Sequence, residues 1–238
     1  MAKAFGEWKV LEHGPLLTLA DNLLWVQGTV PGMSLKRSMV VVRLNDGKLV
    51  IHNGIALQAA QMAELERFGA PAFLLVPNGG HRLDAPAYKQ RYPALRVLTP
   101  KGSRKRVEEV IPVDGVYEDF PHTDELRLET LHGVAEAEGA LIAQSSDGVS
   151  LVLNDCMFNM DRKRDPLGFF FTTLLGSAPG PRVSRLAKLM FVKDKQALRA
   201  DFERYAELPN LVRVIVAHEK VASGADARAS LLKAATYL

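Results

Sequence analysis

The chain has 238 residues, 47% of them hydrophobic and 24% charged, with 18 Gly, 13 Pro and a net charge of +3. That is the composition of a globular protein, and it excludes a disordered tail, a collagen-like repeat and a coiled coil. The longest apolar runs reach about six residues against the roughly 20 that a bilayer-crossing helix needs, so no transmembrane segment is expected. No apolar stretch follows Lys3, so no secretory leader is expected either.

The lone cysteine, Cys156, permits no internal disulfide and points to a reducing compartment, the cytoplasm. It also rules out a Cys-rich zinc site, so any metal must be held by His, Asp and Glu. The densest basic cluster, Lys101 with Arg104, Lys105 and Arg106, has only Tyr88 and Tyr92 as nearby aromatics. It reads as a solvated helix start, and nucleic-acid binding is not expected.

In chain order, short strand-like runs at 8–11, 16–19 and 23–30 are cut by Gly14-Pro15, Asp21-Asn22 and Pro31-Gly32. Runs at 39–44 and 49–51 flank Asn45-Asp46-Gly47, a hairpin signal because Gly supplies the positive φ of a tight turn. A helix is expected over 57–68, with Met62, Leu65 and Phe68 on one side and Gly69 as its stop. A strand at 72–76, a short helix at 86–91 and strands at 95–98 and 126–131 follow. Runs at 140–143 and 149–153 form a second hairpin across Ser145-Ser146-Asp147-Gly148. Beyond a poorly patterned stretch come a helix over 195–207 capped by Asp194, a buried strand at 211–217 and a closing helix over 226–238.

Hairpins followed by alternating strands and helices, twice over, suit neither an all-β sandwich nor a doubly wound parallel sheet. Two mixed sheets packed face to face with helices outside, an α/β protein of αββα layering in a single domain over 1–238, fit the order. The stretch at 157–194 reads as a helical insert. It holds the apolar run 168–176 and a basic amphipathic pattern in which Arg182, Arg185 and Lys188 alternate with Val183, Leu186, Leu189 and Phe191. A cover for the sheet edge, a lid with an apolar wall, a homodimer contact and a membrane-surface helix are the readings open for it.

Three of the six histidines sit where a predicted strand ends: His81 after 72–76, His132 after 126–131 and His218 after 211–217. Asp155 ends a fourth. Loops leaving rigid strand ends converge on pockets, and three imidazoles with a carboxylate suit one zinc, iron or manganese ion. The alternative for each is a hydrogen-bonded loop residue, and for Asp155 a turn cap. Cys156 reads as a small buried hydrophobe rather than a nucleophile, since no Gly-rich elbow surrounds it. Asn78-Gly79-Gly80 reads as a turn rather than an anion nest, since no Lys-Ser/Thr follows.

The segments Val76-Pro77-Asn78-Gly79-Gly80-His81, Tyr92-Pro93 and Asn154-Asp155-Cys156-Met157-Phe158-Asn159 resemble the metallo-β-lactamase superfamily. More narrowly they resemble a branch with Pro-Asn-x-x-His and Asp-x-x-Phe-Asn segments, which the run 46–52 also matches. The resemblance implies a four-layer αββα sandwich with its site at one edge of the sheets. One or two metal ions there activate a water that attacks an ester, amide, thioester or phosphodiester. By position it assigns metal ligands to His81, His132, Asp155 and His218. The chain departs from the family in its first loop, where Gly79-Gly80-His81-Arg82-Leu83-Asp84-Ala85 replaces His-x-His-x-Asp-His, and in Asn154, which replaces a Gly. The resemblance thus points to a mononuclear site, with Asp155 also a candidate catalytic base and Asp84 orienting water or a ligand. The expected function is a metal-dependent hydrolase of a small molecule. The alternative is a metal-free binding protein that keeps the sandwich and uses the cleft for a small-molecule ligand, and a weaker third reading is an iron-using oxidoreductase.

Overall fold

The computed structural model describes residues 3–238. Its first sheet is built from β1 (Leu17–Ala20), β2 (Leu23–Val30), β3 (Met33–Arg43), β4 (Lys48–His52), β5 (Ala70–Leu75), β6 (Arg96–Thr99) and β7 (Gly115–Val116), side by side in chain order. Helices α1 (Ala59–Phe68), α2 (Ala85–Arg91) and α3 (Arg104–Glu108) interrupt it. The pairs up to β3–β4 are antiparallel and those from β4–β5 onward are parallel. The switch follows the connections: Asn45-Asp46-Gly47 reverses the chain tightly, with Gly47 at φ 81, whereas α1 carries it back for a parallel return.

The second sheet has the order β12-β11-β10-β9-β8, with β8 (Leu126–Thr130), β9 (Gly139–Ser145), β10 (Gly148–Val152), β11 (Leu211–Ile215) and β12 (Ala222–Ser223). The second hairpin turn again places a glycine, Gly148, at positive φ (134°). Between β10 and its parallel neighbour β11 run α4 (Pro166–Phe169), a π-helical turn (Phe170–Leu174), α5 (Arg185–Met190) and α6 (Lys195–Ala206), and α7 (Ala225–Ala235) closes the chain. Asp194 caps α6 as its position predicts, accepting from the backbone N–H groups of Gln196 and Ala197.

Period-two patterning in the strands produces the layering. In β3, Met39 and Val41 pack outward with Met62 and Leu65 of α1 and Tyr88 of α2, while Val40 and Val42 pack inward. Inward they meet Leu128, Leu141 and Val152 of the second sheet. The outer face of that sheet, with Leu151 and Val214, is covered by Leu198 and Phe202 of α6 and Leu231 of α7. The order is therefore helices, sheet, sheet, helices, as the hydrophobic pattern anticipates. A strand does not form at 8–11. Trp8 instead docks as a side chain, its indole N–H on the Leu57 carbonyl and its ring 5.0 Å from that of Tyr88. The insert contains two short α segments, α4 and α5, and a π turn, with α5 lying inside the basic amphipathic pattern.

Candidate metal centre

The parallel strands β4, β5, β10 and β11 bring their C-terminal ends to one rim of the sandwich, and the site is assembled from the loops that leave them. After β5 the chain turns at Asn78, whose side-chain oxygen accepts from the backbone N–H of Gly80 (2.7 Å) and His81 (3.1 Å). This turn aims the His81 ring at the second sheet. Asp155 follows β10, and His218 follows β11. His81 Nε2 lies 3.1 Å and His218 Nε2 3.2 Å from the same carboxylate oxygen, Asp155 Oδ1. One donor atom from each of the three lies within 4.8 Å of the others.

The rear of each group is held as well. His218 Nδ1 donates to the Lys36 carbonyl at 2.7 Å, which fixes the ring and leaves Nε2 facing the centre. Phe158 stacks on the same imidazole at 5.5 Å, with the two rings nearly parallel. Asp155 Oδ2 accepts from the Asn78 amide at 3.0 Å. Beneath both loops lies Glu138, fully buried. Its Oε1 accepts from Asn78 Nδ2 (2.6 Å) and Asp155 N (3.1 Å), and its Oε2 accepts from Cys156 N (2.8 Å). One carboxylate thus ties the β5 loop to the β10 loop and sets the spacing between His81 and Asp155.

The electrostatics follow from burial working against pairing. Burial pushes the Asp155 carboxyl up, but the charge and hydrogen bonds of His81 and His218 prevail and hold it well below 3.8. For His218, burial pulls down while the Asp155 carboxylate and the Lys36 carbonyl raise it above 6.5 overall. Glu138, buried and near the Asp155 charge, is pushed up to about 7 against the donors that bond it. His52, at the end of β4, is driven down to about 3 by burial and then by His81, so it stays neutral. Burial holds the Cys156 thiol well above 9.0, which leaves it the small buried hydrophobe its surroundings suggest.

Two residues named from the sequence lie elsewhere. His132 is not among the three converging groups: its side chain is 73% exposed, and its Nδ1 sits 3.0 Å from Asp201 of α6. The reason is strand order, since β8 is the edge strand and β9 separates it from β10. Asp84 is buried and ion-paired with Arg37, so its carboxylate does not enter the cleft. Burial raises its pKa even against that guanidinium. Asn78 and Glu138 are structural contributors that the strand-end pattern does not single out, and His52, which ends β4, is one outside the named candidates. Asn78 carries a signal as part of the Pro-Asn-x-x-His segment and His52 as the last residue of the run 46–52, whereas Glu138 carries none.

A cleft of about 240 Å³ opens beside His81 and His218. Its walls are mostly apolar, from Val30, Met33, Leu83 and Phe171, with Arg37 and Asn53 as its polar lining.

The fold has counterparts among solved structures. The metallo-β-lactamase DIM-1, in a crystal exposed to ceftazidime, superposes with a TM-score of 0.61 over 96% of this chain and 98% of its own at 12% identity. The metallo-β-lactamase FIM-1 from Pseudomonas aeruginosa, in its mono-zinc form, superposes with a TM-score of 0.60 over 96% of each chain at 12% identity. The chain has the metallo-β-lactamase fold. No family sequence profile and no curated sequence matches it. Within the metallo-β-lactamase fold, the rim at the strand ends is where this chain gathers His81, Asp155 and His218.

Proposed function

We propose that the protein is a metal-dependent hydrolase with a mononuclear centre whose protein ligands are His81, Asp155 and His218. The observation that carries this reading is the convergence of three donor atoms within 4.8 Å. Two imidazoles and a carboxylate are a donor set that zinc, iron and manganese all accept, and three protein ligands leave a coordination position open. A metal bound there would lower the pKa of a water and polarise the scissile oxygen of an ester, amide, thioester or phosphodiester. The chain's own residues do the positioning. Asn78 holds the Asp155 carboxylate, Glu138 holds the Asp155 backbone N–H, Lys36 and Phe158 hold the His218 ring, and mostly apolar walls flank the cleft. Asp84 contributes from behind, by neutralising and fixing Arg37 at the cleft wall. A single cysteine, which permits no internal disulfide, fits a reducing compartment such as the cytoplasm.

A second reading rests on one specific observation: Asp155 Oδ1 already accepts from both imidazoles, so the three groups satisfy one another as a proton-sharing network. Such a site suits a binding protein that needs no ion. Metal analysis of protein purified without a His tag separates the two. About one equivalent of zinc, iron or manganese, lost in Asp155→Ala, supports the hydrolase. So does turnover of chromogenic ester, thioester or phosphodiester substrates that chelation abolishes and added metal restores. A folded protein that takes up none of these metals when each is added back overturns it in favour of the binding protein.

A further inference from the structure

Eight large apolar side chains are exposed among the described residues, and six of them lie in the insert: Leu167, Phe169, Phe170, Leu174, Leu189 and Met190. Leu189 is 80% exposed. An insert that merely covered the sheet edge would turn such side chains inward, as it does with Val183 and Ala187. The patch adjoins the candidate centre, because the Phe170 ring lies edge-on to that of Phe171 at 5.8 Å, and Phe171 lines the cleft.

The same segment carries the protein's positive charge. Residues 161–194 hold seven Lys and Arg against three Asp, a surplus of four with Lys195 just beyond, while the whole chain carries only +3. Some of these cations are engaged: Lys163 pairs with Glu219, and Arg182 stacks over the Tyr237 ring. Arg162, Arg164, Arg185, Lys193 and Lys195 are exposed and make no ion pair among the described residues. Lys188 lies close enough to Lys195, Arg182 and Arg185 for burial and their charges to push its pKa down.

We propose that this insert is a docking surface for an anionic lipid bilayer, with its exposed Leu, Phe and Met side chains entering the interface and its free cations facing the lipid headgroups. Apolar side chains that project beside clustered Lys and Arg are the combination that holds a peripheral protein in the plane of a membrane. No helix among the described residues is long and apolar enough to cross one, so the contact is superficial. A second copy of the chain is the poorer occupant. A two-fold interface sets the same patch against itself, and the positive surplus would then face its own like.

Co-sedimentation of the full chain with vesicles tests this independently of any activity. Binding to phosphatidylcholine vesicles containing phosphatidylserine is expected, with little binding to phosphatidylcholine alone and a marked loss at high salt. Leu189→Ser with Met190→Ser, and separately Arg185→Glu with Lys193→Glu, should each weaken partitioning by about tenfold or more, at roughly 1 kcal/mol for each cation near the surface. All four positions are exposed, and circular dichroism checks that the variants fold. Failure to bind the anionic vesicles overturns the proposal, as does binding that both double variants leave unchanged. A dimer in light scattering that Leu189→Ser with Met190→Ser converts to monomer also overturns it, and assigns the patch to a second copy.

Discussion

His132 and His218 leave the same sheet at the same end, each with Nδ1 held by an oxygen, and yet their surroundings differ completely. His218 follows β11, which pairs directly with β10, so its ring stands next to Asp155. His132 follows β8, two strands from β10. At about 4.8 Å per strand that is on the order of 10 Å, beyond what a shared ion can span. Asp201 then draws the His132 ring toward α6, taking both its backbone N–H and its Nδ1. A ligand's place is set by which strands are neighbours, not by its position along its own strand.

The largest effect should come from breaking the His218 side of this comparison. Asp155→Ala removes the oxygen on which both rings converge, and His218→Ala removes one donor of three. Each should abolish stoichiometric metal in elemental analysis, and retention of one equivalent in either would show that the ion sits elsewhere. Next in size is the support beneath. Glu138→Ala leaves the Asn78 amide and the Asp155 and Cys156 N–H groups without their buried acceptor. Each unsatisfied buried group costs about 1–3 kcal/mol, so a fall in stability of several kcal/mol is expected in urea unfolding. Glu138→Gln keeps the shape but turns one of the two acceptor atoms into a donor, so it loosens the loops without emptying the space: metal affinity should weaken about 10–100-fold without being lost.

A third strand-ending imidazole sharpens the contrast. His52 has neither a carboxylate partner like His218 nor solvent like His132; its Nδ1 is buried without a partner. Its pKa falls from 6.5 to about 3, so the unfolded chain binds a proton there that the folded chain refuses between those values. Stability is therefore expected to be full above pH 6.5 and to decline as pH falls toward 3, by up to roughly 4–5 kcal/mol at 1.36 kcal/mol per pH unit. Urea unfolding followed across that range should show a shallower decline in His52→Gln than in the unaltered protein; identical slopes would remove His52 as the cause.

The same contrast marks where sequence reading stops. The hairpin at Asn45-Asp46-Gly47, the alternation of Met39, Val40, Val41 and Val42, and the Asp194 cap are local, and local chemistry decides them. His81, Asp155 and His218 are legible as strand ends, because a buried strand and its exit show in composition. His132 has the same local signature, but the order of strands in a sheet depends on long-range pairing that no window of residues contains. Glu138 is hidden for another reason. In Ala135-Glu136-Ala137-Glu138-Gly139 it looks like one of two solvated turn acids, and only the loops folded over it make it a buried acceptor. The segment at 8–11 has the composition of a strand, but the Trp8 indole finds the Leu57 carbonyl and the Tyr88 ring instead of a ladder.

The smallest expected effect is the most discriminating. His132→Ala removes one imidazole from a carboxylate that keeps its other partners. Asp201 still accepts from the His132 backbone N–H at 2.6 Å and still pairs with Arg204 at 3.2 Å. An imidazole–carboxylate contact with one partner so exposed contributes about 1 kcal/mol or less, so the loss in stability should be of that size. Metal content should not change at all. The two variants His132→Ala and His218→Ala thus delete the same side chain from the same end of one sheet, and elemental analysis should separate them completely. If His132→Ala also empties the centre, the strand separation is being bridged by a rearrangement of the 131–138 loop on binding, and the ligand set must be enlarged to four.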